Sequence, residues 1–378
     1  MEEGTGQNLI GNSFVIGLLI AVAGVLAIEF GLSTAVLEII MGFFARNAVG
    51  IWDASWLQFV AEFGLITLMF IAGFEVDIPI LRKNFAKSAF VGSFSFVIPF
   101  VGIYGICMLF GMKFGQAIIF AISMSTTSLA LVFPTLRERG MLTSSPGQFL
   151  LSSAMFVDIM SVIALIVFFI KPSLSLYLGL AGVILIIVFA PFVSKWLFGR
   201  WKGNLIEMEV RFILFTLLAL LFIASVSHVH AALTGFALGM VMSSILRKHY
   251  QVESKIRNIV FGFFAPVFFF RAGTQMDLSQ FTWMDALLVL VLTPAAFMLK
   301  FYGSVFPFRL FGCTLSKYAS VLFNYRLSFA IVAALYGFET GRITGGQYSA
   351  IMCTVLLTSL GTALLLKARP NLDQQAGE

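Results

Sequence analysis

The chain has 378 residues, of which 60% are hydrophobic and only 11% charged, with a mean hydropathy of +0.99; a soluble domain carries about 45–50% apolar and about 25% charged residues. That composition excludes a soluble globular protein, and at about 20 residues per crossing the length accommodates roughly a dozen transmembrane helices. The excess of 24 basic over 18 acidic residues belongs to membrane topology and not to nucleic acid, and the scattered Cys107, Cys313 and Cys353 form no pattern that would hold a metal, a haem or a disulfide framework.

From the N-terminus, Met1-Glu2-Glu3-Gly4 lacks the basic n-region of a signal peptide, so the first apolar run is expected to stay as a helix. Apolar runs fall at about 9–30, 33–48, 56–74, 86–111, 115–136, 148–170 and 174–198. They continue at about 208–228, 231–246, 257–273, 283–308, 317–338 and 346–367, giving thirteen predicted spans. Seventeen Lys and Arg residues lie on one set of alternate loops and four on the other. By the positive-inside rule the N-terminus is outside and the C-terminus cytoplasmic.

Three basic residues remain inside spans: Arg271, Lys300 and Arg326. Among the acids Asp158 is mid-span, whereas Glu29, Glu38 and Glu62 are nearer span ends, where snorkelling or a helix-end hydrogen bond accounts for them. A charge at mid-bilayer costs about 2.5–3.5 kcal/mol on insertion scales. The neighbours of Asp158, Phe156, Val157, Ile159 and Met160, can neither hydrate nor ligate it, so its partner has to come from another helix.

Two spans are expected to be discontinuous. The fifth contains the polar run Ser123-Met124-Ser125-Thr126-Thr127-Ser128 followed by Pro134, and the twelfth contains Phe323-Asn324-Tyr325-Arg326-Leu327-Ser328. Broken helices survive at membrane depth only where they line a cavity or are buried in protein. The two sit seven spans apart, so a repeat of spans 1–6 as spans 8–13 is inverted in the membrane. Inverted repeats with a discontinuous helix in each half point to a secondary transporter with its site at mid-membrane. The bland alternative is that the hydroxyls bond back to their own helices.

The segments Ala61-Glu62-Phe63-Gly64-Leu65, running on to Gly73-Phe74-Glu75-Val76-Asp77, and Thr127-Ser128-Leu129-Ala130, running to Arg137-Glu138-Arg139-Gly140, resemble monovalent cation:proton antiporters of the NapA and Kef-like branch. Ala232-Leu233-Thr234-Gly235 to Gly239, Phe264-Ala265-Pro266 to Gly273, and Gly337-Phe338-Glu339-Thr340-Gly341 to Leu356-Leu357-Thr358 are similar to further blocks of that family, in the same order. The resemblance implies an all-α integral membrane protein of about 13 helices with two crossed discontinuous helices, the NhaA/NapA-like fold. It implies a homodimer with a dimerisation domain at 1–85 and 204–280 and a transport core at 86–172 and 281–370. The helix at 173–203 links them, and 371–378 form a cytoplasmic tail. On the family pattern Asp158 is the cation and proton site, with Lys300 as its charge partner. Val157 stands where electrogenic members carry a second aspartate, and Ser328 where many relatives have a glutamate.

Exchange through one carboxylate needs only competition between a proton and a bare Na+ or K+. The cation would draw further oxygens from Ser125, Thr126 and Thr127, while Asn324, Arg326 and Ser328 support the second break. Glu38, Glu62 and Arg271 are assigned to structure or regulation, and the pair His228 and His230 to the membrane interface. No cofactor, resident metal or nucleic acid is expected, and the partners are Na+ or K+, protons and the lipid bilayer, with a bacterial inner membrane as the location. The same fold also serves sodium-coupled organic anion symporters, and a channel-like potassium efflux path is the other alternative. An enzyme is not expected, because no nucleophile, base and orienting acid cluster together.

Overall fold

A computed structural model of the chain describes residues 2–30, 33–50, 55–75, 85–141, 144–169, 174–200, 207–227, 231–246 and 250–368. Val76, Asp77, His228, His230 and the tail 371–378 lie outside the described residues. Within them the chain is all helix and turn, with no strand. Counting the helical run Gln251–Gln280 as one, nine described helices are long and apolar enough to cross a membrane, and the protein is a multi-pass integral membrane protein. Other predicted spans coincide with shorter apolar helices.

Residue contacts divide the chain into two compact units. The first comprises Met1–Asp77 and Ile170–Thr274. It contains α1 (Glu2–Phe30), α2 (Thr34–Phe44), α3 (Ser55–Glu75), α8 (Leu174–Arg200), α9 (Met208–Ser227), α10 (Ala231–Leu246), α11 (Tyr250–Ile259) and α12 (Ala265–Thr274). Glycines set its packing. A Cβ on Gly73 would overlap the carbonyl of Phe236, and one on Gly239 the carbonyl of Phe70, so α3 and α10 meet backbone to backbone through reciprocal glycines. Gly42 and Gly273 repeat the arrangement between α2 and α12, against Phe270 and Ile39. In lipid, where apolar side chains gain little by leaving their surroundings, such close approach is what drives helix association. The helix expected as a linker, α8, packs against α9 and α10 within this unit.

The second unit comprises Ile78–Phe169 and Gln275–Glu378. It holds α4 (Phe85–Leu109), α5 (Phe114–Ser125), α6 (Leu129–Glu138), α7 (Ser145–Phe169), α13 (Trp283–Leu310), α14 (Ser316–Leu322), α15 (Ser328–Glu339) and α16 (Gly345–Ala368). The fifth and twelfth predicted spans are each two short helices: α5 and α6 are separated by 126–128, and α14 and α15 by 323–327. Hydroxyls and an amide at the breaks bond back to carbonyls about one turn earlier. Ser125 Oγ donates to Ala121 O at 2.6 Å, Thr126 Oγ1 to Ser123 O at 3.2 Å and Asn324 Nδ2 to Ser320 O at 3.0 Å. Back-bonding of this kind competes with the helical ladder, so these side chains both bond back and accompany a real interruption. At their far ends the two broken helices stop in the same way. Gly140 (φ 66°) and Gly341 (φ 65°) take left-handed conformations, and the residues after them, Met141 and Arg342, donate their N–H groups to Leu136 O and Gly337 O. That is the six-to-one closure for which a residue without Cβ is best suited.

Candidate ion-exchange site

The two breaks meet. Ser128 N donates to Tyr325 O at 2.7 Å, Thr127 Oγ1 to Phe323 O at 3.1 Å, and the hydroxyls of Ser128 and Ser328 are 3.2 Å apart. All of these residues but Tyr325 are buried. The crossing brings the N-termini of α6 and α15 together with the C-termini of α5 and α14, so partial positive and negative charge converge on one buried spot. α16 fixes the second break from outside: Ser359 Oγ accepts from Arg326 N at 3.2 Å and donates to Arg326 O at 2.6 Å.

Asp158 lies on α7, which packs against α4, α5, α6 and α15, and is only 1% exposed. Lys300 on α13 and Arg326 in the second break are fully buried. Among the described residues, the charges that act on Lys300 are those of Arg326 and Asp158. Its ammonium donates to two backbone carbonyls, Ser125 O at 2.6 Å and Ser95 O at 3.0 Å. Both are unsatisfied within their own helices: Ser125 ends α5, and Ser95 is four residues before Pro99, which has no N–H to return. The anchoring by carbonyls was not foreseen from the sequence, although a proline inside a span signals a freed carbonyl one turn earlier. Arg326 Nη2 donates to Ala296 O at 2.7 Å and to Asn324 Oδ1 at 3.1 Å, while Nε and Nη1 have no hydrogen-bond partner among the described residues.

The residues singled out in the sequence therefore sort by unit. Ser125, Thr126, Thr127, Asp158, Lys300, Asn324, Arg326 and Ser328 share the second. Glu38, Glu62 and Arg271 belong to the first. Glu38 is buried on α2, and Arg271 is half-buried on α12. Glu62 is exposed on α3, accepting from Gln58 Nε2 at 3.0 Å.

The second unit thus holds a buried carboxylate and two crossed helix breaks. The family described as "Sodium/hydrogen exchanger, transmembrane" matches residues 15–368. The chain belongs to the sodium/hydrogen exchanger family. Similar curated proteins include the "Probable Na(+)/H(+) antiporter 3" of Methanocaldococcus jannaschii, 27% identical over 89% of this chain and 89% of that protein. Another is the "Na(+)/H(+)-K(+) antiporter GerN" of Bacillus cereus, 28% identical over 91% of this chain and 92% of that protein. The solved structure of the sodium proton antiporter MjNhaP1 from Methanocaldococcus jannaschii superposes with a TM-score of 0.69. It covers 98% of this chain and all of that one at 14% identity, a likeness of fold. These relatives of the exchanger chain are transporters.

Proposed function

We propose that this exchanger carries a monovalent cation, Na+ or K+, against a proton by alternating access, with Asp158 holding one or the other. The observation that carries the reading is the placement of Asp158: a carboxylate 1% exposed, in the same unit as both helix breaks and within the electrostatic reach of Lys300. An ionised carboxylate this deep is costly without a counter-charge, so either a proton or a cation stabilises it, and the two compete for one place. The hydroxyl oxygens of Ser125, Thr126 and Thr127 each spend a proton on a carbonyl and keep lone pairs for a cation. Lys300 supplies positive charge when neither ligand is bound.

The second unit is the transport core in this reading, and the first, with its glycine-packed helices, forms the homodimer and the frame against which the core moves. Val157 removes a second proton carrier beside Asp158, so one cation exchanges for one proton with no net charge. The basic loop asymmetry puts the N-terminus outside and the C-terminus in the cytoplasm of a bacterial cell. The test is the purified protein in proteoliposomes with an internal pH dye, challenged with Na+, K+ and Li+ in turn and without any organic solute. Cation-driven proton flux in the wild type and none in Asp158→Asn is expected. Flux at the wild-type rate in Asp158→Asn sinks the mechanism, and flux only with an organic anion present would make the protein a symporter.

A further inference from the structure

We propose that Pro99 is a positioning residue for Lys300: by withholding an N–H from the Ser95 carbonyl it reserves that carbonyl for the ammonium. This rests on the exchange reading above and adds to it a residue that touches neither cation nor proton.

Pro99 is buried in the middle of α4, a helix of 25 residues. In an uninterrupted helix the N–H of residue 99 would bond to the C=O of residue 95. Proline has no such N–H, and its ring crowds the same carbonyl and turns it away from the axis. Here the freed carbonyl is not left to a neighbouring hydroxyl; it accepts Lys300 Nζ at 3.0 Å. Ser95 is tied to the same stretch of α13 a second time, since its hydroxyl lies 2.9 Å from that of Ser304, one turn from Lys300. The two helices are close there: a Cβ on Gly303 would stand 3.2 Å from Phe94 O. The ammonium is thereby suspended between α4 and the broken end of α5, with one acceptor supplied by a proline and the other by a helix break.

The second acceptor is explained by the break that the cation site itself requires. The first is not: α4 is otherwise continuous, and nothing in the exchange mechanism requires a proline in it. Pro294 in α13 provides the contrast, because the carbonyl it frees belongs to Leu290, which is 71% exposed. Among the described residues the charged groups acting on Lys300 are Asp158 and Arg326; α4 and α5 meet its ammonium with the carbonyls of Ser95 and Ser125. Removing one of two acceptors therefore acts directly on where the ammonium is held.

Exchange is measured across a cation titration for the wild type, Pro99→Ala, and Pro99→Val, which preserves the buried volume if alanine folds poorly. A fourth protein carries lactic acid at position 99, the α-hydroxy analogue of alanine, which lacks the N–H as proline does. Alanine and valine should shift the half-saturating cation concentration about tenfold downward, the equivalent of one lost bond to a charged donor, because an ammonium held less firmly competes less with the cation for Asp158. Lactic acid should leave it in place, and Pro294→Ala should not shift it. An equal shift with alanine and lactic acid would assign the effect to helix geometry and overturn the proposal, as would no shift in any variant. A readout free of transport separates this from failure of the exchange reading: with the Ser95 carbonyl isotopically labelled, Lys300→Met should raise its infrared stretching frequency in the wild type and by less in Pro99→Ala. Equal changes in the two backgrounds would overturn the proposal even if exchange itself were demonstrated.

Discussion

Thr127→Val separates the two roles that the geometry gives to one hydroxyl. Valine keeps the shape of threonine, so no cavity opens, but the donor to Phe323 O is lost. That carbonyl belongs to the break, where the helical ladder is interrupted, and the residues on both sides of the bond are fully buried. A neutral hydrogen bond is worth about 0.5–1.5 kcal/mol net, and leaving a buried carbonyl without a donor costs about 1–3 kcal/mol. The bond is long at 3.1 Å, which puts the expected loss near the lower end of that second range. Ser125→Ala is the comparison. Its hydroxyl bonds back to Ala121 O, a carbonyl inside α5 that keeps its helical donor, so no group is orphaned and the cost stays under about 1 kcal/mol. If both hydroxyls also ligate the cation, each variant raises the half-saturating cation concentration roughly tenfold, the equivalent of about 1.4 kcal/mol. Thermal unfolding in detergent, followed by tryptophan fluorescence, reads the first quantity, and a cation titration of proteoliposomes reads the second. Thr127→Val should melt below Ser125→Ala, and Thr127→Ser, which restores the hydroxyl, should recover the melting temperature. Were Ser125→Ala the less stable of the two, with Thr127→Val melting as wild type, the crossing would not depend on this bond and the reasoning would fail.

Arg326→Gln should lower the melting temperature through the loss of two charge-assisted bonds of about 1.5–3 kcal/mol each, partly offset by no longer burying Nε and Nη1, which have no acceptor among the described residues, while the folded fraction still exchanges. Abolished exchange at unchanged melting temperature and yield would transfer Arg326 from support to the ion path. Gly239→Ala should destabilise the protein by about 1–3 kcal/mol, since its Cβ meets the Phe70 backbone, which cannot yield as a side chain does. Gly24→Ala, with open space around its Cβ, should melt at or above the wild-type temperature. Finally, a membrane potential imposed with valinomycin, read with Na+ as the exchanged cation, should leave rate and end point unchanged; a systematic voltage dependence would refute one-for-one exchange and point to Lys300 as a second proton carrier.

The sequence by itself determined what depends on local composition. Runs of apolar residues long enough to span, the loop charges between them, and the interruptions at Ser123–Ser128 and Phe323–Ser328 all follow from which residues are adjacent, because lipid penalises a polar group wherever its neighbours cannot satisfy it. Asp158 and Lys300 stood out for the same reason, as charges in otherwise apolar surroundings. The resemblance to cation:proton antiporters added the inference that they act together. What only the tertiary structure decided is which distant groups satisfy them. Lys300 takes carbonyls 205 and 175 residues away, Thr127 takes one 196 residues away, and Arg326 is held through Ala296, Asn324 and Ser359. The difference between Glu38, buried, and Glu62, exposed, was likewise hidden, since both sit near span ends and only the packed face of each helix distinguishes them. A hydropathy pattern records the cost of placing a polar group in the membrane, but the partner that offsets that cost is chosen by backbone geometry: where a proline or a break frees a carbonyl, and where reciprocal glycines allow two helices to touch.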